Sequence, residues 1–89
     1  MSVLKIADFT NAPFGLLVAR SPHYCLNRGA EQEQRGIVVE RTFFQDAKGQ
    51  AICWPRIHWE GSVSDALCHP INAVAFRPEQ VLPEIEMAE

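Results

Sequence analysis

Three residues between positions 51 and 60 combine an aromatic ring, a guanidinium and an imidazole at alternating positions: Trp54, Arg56 and His58. Because successive side chains of a β-strand point to opposite sides, this spacing predicts that all three share one surface. An exposed Trp beside Arg and His is typical of binding hot spots. We take these three as candidate ligand-binding residues. The alternative is structural, with Trp54 packed under an N-terminal arm and Arg56 covering it with its aliphatic stem.

Cysteine and histidine offer a second kind of chemistry. Cys25, Cys53 and Cys68 form no C-x-x-C pair, whereas structural zinc usually needs two closely spaced ligand pairs. Cys68 and His69 are suitable ligand types, but neighbours on a strand point to opposite faces. A cysteine nucleophile needs a nearby base and a lowered pKa, and the sequence indicates neither. We therefore expect no metal site, and it stays open whether the cysteines do more than pack.

The sequence contains no motif for phosphate binding or for acid–base catalysis. The glycines are isolated, each at a strand edge or a turn, so there is no Gly-rich phosphate loop. The acidic residues of the central segment fall mostly in or near turns, which does not favour paired catalytic carboxylates. We expect no cofactor and no catalytic residue, and the balance is against enzymatic activity.

Short strands must position these side chains. The clearest is 36–44, dense in β-branched and aromatic residues, with Ile37, Val39 and Phe43 expected on one face. A hairpin loop over 45–50 leads to a return strand over 51–60. If the Ile37 face and the Trp59 face both point inward, the three candidate residues lie outside.

Weaker signals complete the pattern. Pro55 cannot donate to a ladder, so its strand is expected to be at an edge or bulged there. The last six residues are expected to fray. Further elements are expected as a strand or helical turn at 3–9, strands at 14–20, 23–26, 65–69 and 75–76, a helical turn at 70–74 and a short helix near 79–82.

The stretch 36–76 resembles the core of an SH3-like small barrel. The matching pieces are G-I-V-V-E, a Gly-containing hairpin, a strand ending in W-E-G, and a short strand closing on C-H-P-I-N-A-V-A-F. In such barrels the fourth strand runs into a single 3₁₀ turn before the last strand, and His69–Asn72 fits that place. The resemblance covers about half the chain. It implies an all-β, SH3-like small barrel or roll of five to six short strands, with an N-terminal extension and at most one short helix.

Two further resemblances are narrower than that to the SH3-like barrel. Type II dihydrofolate reductases are similarly short and SH3-like, and their active pore uses a Val-Gln-Ile-Tyr segment on the last strand. Here the corresponding residues are Ile71, Asn72, Ala73 and Val74, so no functional residue is carried over. The general style resembles small bacterial accessory proteins from mobile gene pools.

Length and charge limit the number of domains and indicate where an acidic tail lies. A chain of 89 residues, 47% of them hydrophobic, is consistent with one compact domain. The net charge of −3 arises at the end of the chain, where Glu79, Glu84, Glu86 and Glu89 are followed by no base. The remainder is nearly neutral. We expect a single domain over residues 1–78 and an acidic tail over residues 79–89.

Composition also bears on partners and location. The apolar runs are too short to span a membrane. The arginines are scattered and form no basic stripe, which lowers the expectation of nucleic-acid binding. An odd number of cysteines without a signal peptide favours a cytoplasmic location.

The sequence therefore favours a non-enzymatic binding or interaction module that self-associates as a homo-oligomer, with a protein or small-molecule ligand. The basis is a small core with more large aromatic and β-branched residues than it can easily bury. Two alternatives stay open. One is a small-molecule-binding or enzymatic site formed between subunits around Trp54, Arg56 and His58, and the other is nucleic-acid binding by a barrel face.

Overall fold

The computed structural model describes residues 4–28, 34–77 and 79–87. Strands dominate it, accompanied by one short helix and one 3₁₀ turn, which confirms the all-β class. In chain order the elements are β1 (Leu4–Ala7), β2 (Leu17–Arg20), α1 (Pro22–Arg28), β3 (Arg35–Gln45), β4 (Ala51–Trp59), β5 (Ala66–Leu67), the 3₁₀ turn (Pro70–Asn72), β6 (Ala73–Ala75) and β7 (Glu84–Met87).

The strands form two antiparallel sheets. The larger has the order β5-β4-β3-β2-β6, and the smaller pairs β1 with β7. Strands β5 and β6 lie at opposite ends of the larger sheet, and the smaller ladder is separate from it. The strands of the described residues therefore form two open sheets and do not close into a barrel.

The helix α1 replaces an expected extended segment at residues 23–26. The hydroxyl oxygen of Ser21 accepts a hydrogen bond from the Tyr24 N–H at 3.2 Å, as a helix N-cap does. Pro22 follows at the first helical position, where its missing N–H costs nothing. The expectation of an extended segment was wrong, because Ser21 caps and Pro22 begins a helix at this position.

The core lies on one face of the larger sheet. Val38 of β3 and Ile57 and Trp59 of β4 are at most 2% exposed, which confirms that the Trp59 face points inward. Gly36 is required beside them, because a Cβ at this position would lie 2.5 Å from Ile57 Cγ2 and 2.8 Å from Trp59 Cε3. Phe9, which follows β1, is fully buried in the same cluster.

The expectation that Ile37, Val39 and Phe43 share one inward face was wrong for Ile37, whereas Phe43 lies opposite Cys53 of the inner face. Ile37 lies opposite His58, while Val38 lies opposite Ile57. Directly opposed residues share a face, so Val38 enters the core and Ile37 is 38% exposed. A β-bulge between Val38 and Glu40 then shifts the register along the rest of β3.

Pro55 lies where β4 has a partner strand on only part of its second side. Strand β5 pairs with Arg56 and Ile57 alone. The Pro55 carbonyl accepts a hydrogen bond from the Cys68 N–H at 2.9 Å, so the backbone nitrogen of Pro55 is also turned towards β5. The missing donor therefore falls beside the end of a two-residue strand, where it disrupts little pairing.

Strand β7, near the acidic end of the chain, pairs with β1 near its beginning. β7 pairs with β1 over Leu4–Met87 to Ala7–Glu84, so the expected fraying is wrong for residues 84–87. Acidic and apolar residues alternate there, which is the two-residue period of a strand. The helix expected near 79–82 is not found in the described residues, where a turn instead joins the Gln80 N–H to the Arg77 carbonyl at 3.0 Å. Among the described helices, none is both long and apolar enough to traverse a membrane.

Candidate functional site

Trp54, Arg56 and His58 lie on one face of β4, opposite Thr42, Glu40 and Ile37 of β3. We call this surface the outer face, and it includes Phe44 near the end of β3. The opposite face of β4 carries the buried Cys53, Ile57 and Trp59. The alternation that the sequence predicts for the three candidate residues is therefore the arrangement in the structure.

The two polar candidates each have a carboxylate partner. Arg56 Nε lies 3.4 Å from Glu40 Oε2, and His58 Nδ1 lies 2.8 Å from Asp65 Oδ1. All four side chains are at least 37% exposed, so each pair contributes little to stability. The outer face is thus nearly balanced in charge, with acidic and basic groups in adjacent positions.

Trp54 is half-buried and contacts two other rings. Its ring centroid lies 4.7 Å from that of Phe44 and 4.7 Å from that of His69. Phe44 itself is 40% exposed. Trp54 and Phe44 therefore form an aromatic end of the outer face that is accessible to a partner.

His69 links this aromatic end to the 3₁₀ turn. Its Nδ1 accepts a hydrogen bond from the Ile71 N–H at 3.1 Å, which caps the turn. Burial lowers the pKa of His69, and the neighbouring His23 lowers it further. A neutral imidazole at this position is required for the acceptor role, because a protonated ring has no free lone pair in its plane.

A second aromatic arrangement involves Arg20, which sequence reasoning missed. Its guanidinium carbon lies 3.7 Å from the ring centroid of Trp59 and 4.3 Å from that of Tyr24. Its Nε donates to Gln34 Oε1 at 2.9 Å. Trp59 is distant from Arg20 in sequence, so only the strand register brings them together. This cation already occupies the space between the two rings, so we assign it a packing role.

The cysteines are free and two of them are buried. Burial raises the pKa of the Cys68 thiol to about 11 and also raises that of Cys53, the nearby Arg20 and Arg41 opposing the shift in part. Both thiols stay protonated near neutral pH, which is unsuited to nucleophilic attack. Within residues 4–28, 34–77 and 79–87, no three His, Cys, Asp or Glu side chains come together as a metal-binding group.

A cleft of about 420 Å³ lies between β6 and the β1–β7 sheet, and sequence reasoning missed this feature too. We call it the β6 cleft. One wall is the edge strand β6, and the other includes Lys5, Ile6 and Ala7 of β1. Its rim carries the exposed side chains of Lys5, His23, Arg77 and Glu84. Elements from both ends of the chain form this cleft, so no local sequence signal could have indicated it.

Among the described residues, β6 has no strand partner on the side of the β6 cleft. The Phe76 N–H donates to the Leu17 carbonyl, and the Asn72 carbonyl accepts from the Ser21 N–H, so alternate positions on β6 face β2. Backbone groups of the intervening residues in a strand point the other way. Ala73 and Ala75 therefore turn their N–H and carbonyl groups away from β2, but Ala73 is 0% exposed, and of these two residues only Ala75 is partly accessible.

Comparisons of the chain with protein-family models, with curated proteins and with solved structures find no match.

Proposed function

We propose that this protein is a non-enzymatic interaction module that self-associates through the outer face, in its simplest form as a twofold dimer. The observation that carries the proposal is the accessible aromatic end formed by Phe44 and Trp54. Aromatic side chains bury 150–250 Å² each, roughly, and are enriched in the cores of interfaces.

Charge balance favours a second copy as the partner. The outer face carries Glu40 beside Arg56 and Asp65 beside His58, so acidic and basic groups alternate. In a twofold interface the same patch meets itself, and a patch with both signs can pair each charge with its opposite on the other copy. A strongly acidic or strongly basic partner would meet repulsion from half of these groups.

The thiol chemistry supports the non-enzymatic part. The raised pKa values of Cys53 and Cys68 keep both sulfurs neutral and protonated. Both are buried, so a substrate has no direct path to either. Their position favours a role in packing the core.

We also propose that the larger sheet is an open SH3-like roll. Four consecutive strands of the sheet, β2 to β5, form a meander. The chain then passes through the 3₁₀ turn at Pro70–Asn72, and β6 pairs with β2, the first strand of that meander. This order and the position of the turn support an SH3-like arrangement without barrel closure.

One observation favours a second candidate, a small-molecule or catalytic site between subunits around Trp54, Arg56 and His58. Asp65 holds His58 through Nδ1, and in the described part of the chain Nε2 has no hydrogen-bond partner. An oriented imidazole with a free nitrogen can bind or accept a proton from a ligand. A thermal-shift screen comparing the protein with a His58→Ala variant tests this: a ligand that raises the melting temperature only of the unsubstituted protein would favour the site.

The self-association is tested by light scattering after size exclusion, over a series of protein concentrations. We expect the apparent mass to rise from 10.0 kDa towards twice that value with concentration. Phe44→Glu and Thr42→Glu place a charge on the outer face and should each restore the monomer. Val63→Glu is the matched control, because Val63 is fully exposed in the turn after β4 and should leave the mass unchanged. A 10.0 kDa monomer at every concentration, or dissociation by Val63→Glu alone, contradicts the proposal.

A further inference from the structure

We propose that two copies of this protein join β3 to β3 in antiparallel, edge to edge, so that their larger sheets become one continuous sheet. The inference rests on the proposed self-association and specifies its contact. The two chains meet through the backbone of residues 41–45, and the aromatic ends of the two outer faces lie side by side. Phe43 is on the twofold axis, opposite Phe43 of the second copy.

The second half of β3 has a strand partner on only one side. Strand β4 pairs with β3 as far as Gln45, whereas β2 pairs with residues 35–37 alone. The loop before β2 covers the next position, where the Gly15 N–H donates to the Val38 carbonyl at 2.7 Å. Among the described residues, no strand lies beside 41–45 on the side away from β4. This segment is therefore an open edge of the larger sheet.

The hydrogen bonds of β4 show which groups of this edge are unpaired. Arg41 lies opposite Pro55, whose carbonyl is turned towards β5. Directly opposite residues of an antiparallel pair either exchange both backbone bonds or turn both away from each other. Arg41 therefore turns its N–H and carbonyl away from β4, and alternation along the strand does the same for Phe43 and Gln45. In the described part of the chain these backbone groups have no hydrogen-bond partner.

The edge is accessible to a second backbone. Phe43 is 54% exposed and Phe44 is 40% exposed, and Gln45 is exposed as well. Strand β6, at one end of the larger sheet, differs in this respect, because Ala73 is 0% exposed. An accessible row of unpaired donors and acceptors is a template on which another strand can pair.

The segment also lacks the features that usually protect a sheet edge. Such edges are shortened, or carry proline, lysine or an inward charge. Residues 41–45 include neither proline nor lysine. Their one charged side chain, Arg41, is turned to its own chain: Nη1 donates to the Ala12 carbonyl, and the guanidinium carbon lies 4.6 Å from the ring centroid of Phe14. Nothing in this segment therefore opposes a further strand.

The order of residues in this segment suits a second copy as the partner. With Phe43 on the twofold axis, residues 41, 43 and 45 face residues 45, 43 and 41 of the second copy, so each unpaired donor meets an acceptor. On the outer face Thr42 then lies opposite Phe44 of the second copy, and on the other face the two Phe43 side chains are opposed. Aromatic pairs and aromatic–β-branched pairs are favourable cross-strand neighbours.

Charge does not oppose this register. Within the paired segment only Arg41 is charged, and it lies opposite Gln45 of the second copy. The nearest acidic pair is Glu40 with Asp46 of the second copy, and it falls beyond the last hydrogen-bonded pair. Glu40 Oε2 is already 3.4 Å from Arg56 Nε of its own chain, which reduces the repulsion.

Amide hydrogen exchange on the unsubstituted protein, followed by NMR in dilute and concentrated samples, tests the pairing. Where about nine-tenths of the chains are dimeric, the N–H groups of Phe43 and Gln45 should exchange about tenfold more slowly than in the dilute monomer, because only the monomer exposes them. The N–H groups of Thr42 and Phe44 face β4 in both states, and their exchange should slow by a smaller factor.

A proline substitution removes one of the joining donors. Phe43→Pro lacks the N–H that faces the second copy, whereas the matched control Phe43→Val keeps it. Proline is tolerated where an edge-strand N–H is unpaired, and circular dichroism checks the fold of both variants. Light scattering should give 10.0 kDa for Phe43→Pro at concentrations where Phe43→Val is a dimer.

Cross-linking tests the register. Opposed residues of a hydrogen-bonded antiparallel pair have Cα atoms about 5.5 Å apart, which is within the range of a disulfide. Phe43→Cys is made in a Cys25→Ser background, because Cys25 is partly exposed. With glutathione disulfide as oxidant, it should form a covalent dimer at least about tenfold faster than Val63→Cys, a fully exposed control in the same background, because pairing raises the effective concentration of the thiols.

The outcomes separate this inference from the proposal on which it rests. A 10.0 kDa monomer at every concentration leaves the edge to a strand of another protein and overturns both. A mass that rises with concentration without slower exchange at Phe43 and Gln45 overturns the edge pairing alone, as does a dimer of Phe43→Pro. Equal rates of cross-linking at positions 43 and 63 overturn the register. If Phe43→Pro fails to fold, hydrogen exchange on the unsubstituted protein decides.

Discussion

From Cys53 to Trp59, the two faces of β4 come from alternate residues of a single strand, yet their side chains have different environments, whereas Ile52, which precedes them on the outer side, is also buried. On the inner face, Cys53, Ile57 and Trp59 are at most 2% exposed and contact other core residues. On the outer face, Arg56 and His58 retain 37% and 45% of their side-chain exposure and pair with carboxylates in contact with water. The difference arises from the two-residue period of a strand and from which side the remaining elements cover.

This contrast explains why binding is assigned to the outer face. Inner-face side chains are close-packed, and a change of one methyl group there alters the free energy of unfolding. Outer-face pairs are solvated, so rearranging them against a partner requires little free energy. A surface can serve recognition when its own internal contacts are weak and its aromatic area is still accessible.

The largest expected effect is on the inner face. Ile57→Ala should lower the free energy of unfolding by about 2–5 kcal/mol, because it removes buried methyl groups and leaves a cavity. Ile37→Ala is the matched control, since the same residue type on the outer face is 38% exposed and should cost less than about 1 kcal/mol. Urea denaturation followed by circular dichroism measures both. Equal losses from the two variants would contradict the assignment of faces.

The next effect comes from adding an atom rather than removing one. Gly36→Ala should destabilise by about 1–3 kcal/mol, because its Cβ would lie 2.5 Å from Ile57 Cγ2 and 2.8 Å from Trp59 Cε3. Ile57→Ala removes the first of these contacts, so Gly36→Ala should cost less in that background. The same urea measurement on the single and double variants gives this coupling. Additive losses would mean that the two residues do not touch.

Part of this contrast could be predicted from the sequence. The alternation of Trp54, Arg56 and His58 predicts one shared face, and the β-branched density of 36–44 predicts a strand beside it. The inward face of that strand could not be predicted, because the bulge at Val39 depends on pairing with β4. Strict alternation groups Ile37 with Val39 and Phe43, whereas the bulge puts Ile37 and Phe43 on opposite faces.

The β6 cleft and the Arg20 arrangement lay beyond sequence reasoning for another reason. Both depend on contacts between segments that are far apart along the chain, such as β1 with β7 and Arg20 with Trp59. Periodicity reports only the local geometry of a segment. The pairing of β1 with β7 was hidden further, because an acidic end of the chain usually indicates a solvated tail.

The third effect is a dependence on pH at the aromatic end of the outer face. The pKa of His69 is lower in the folded protein than its ordinary value of 6.5, with burial as the main cause. The unfolded chain therefore binds a proton more readily, so stability is full above about pH 6.5 and falls as the pH drops below it.

His69→Asn checks this dependence, since asparagine keeps an acceptor for the Ile71 N–H but does not titrate. Urea midpoints measured between about pH 7.5 and about 5.5 should fall less for the variant than for the unsubstituted protein. Parallel profiles would show that His69 titrates in the same way in both states.

The smallest expected effect on the free energy of unfolding comes from a substitution at the centre of the outer face. Arg56→Ala should change the free energy of unfolding by no more than about 1 kcal/mol, because its pair with Glu40 is exposed and spans 3.4 Å at one nitrogen. The measurement uses dilute protein, so that self-association does not contribute. A loss as large as that of Ile57→Ala would mean that Arg56 stabilises the fold through its aliphatic stem, and the contrast between the two faces of β4 would then not hold at this position.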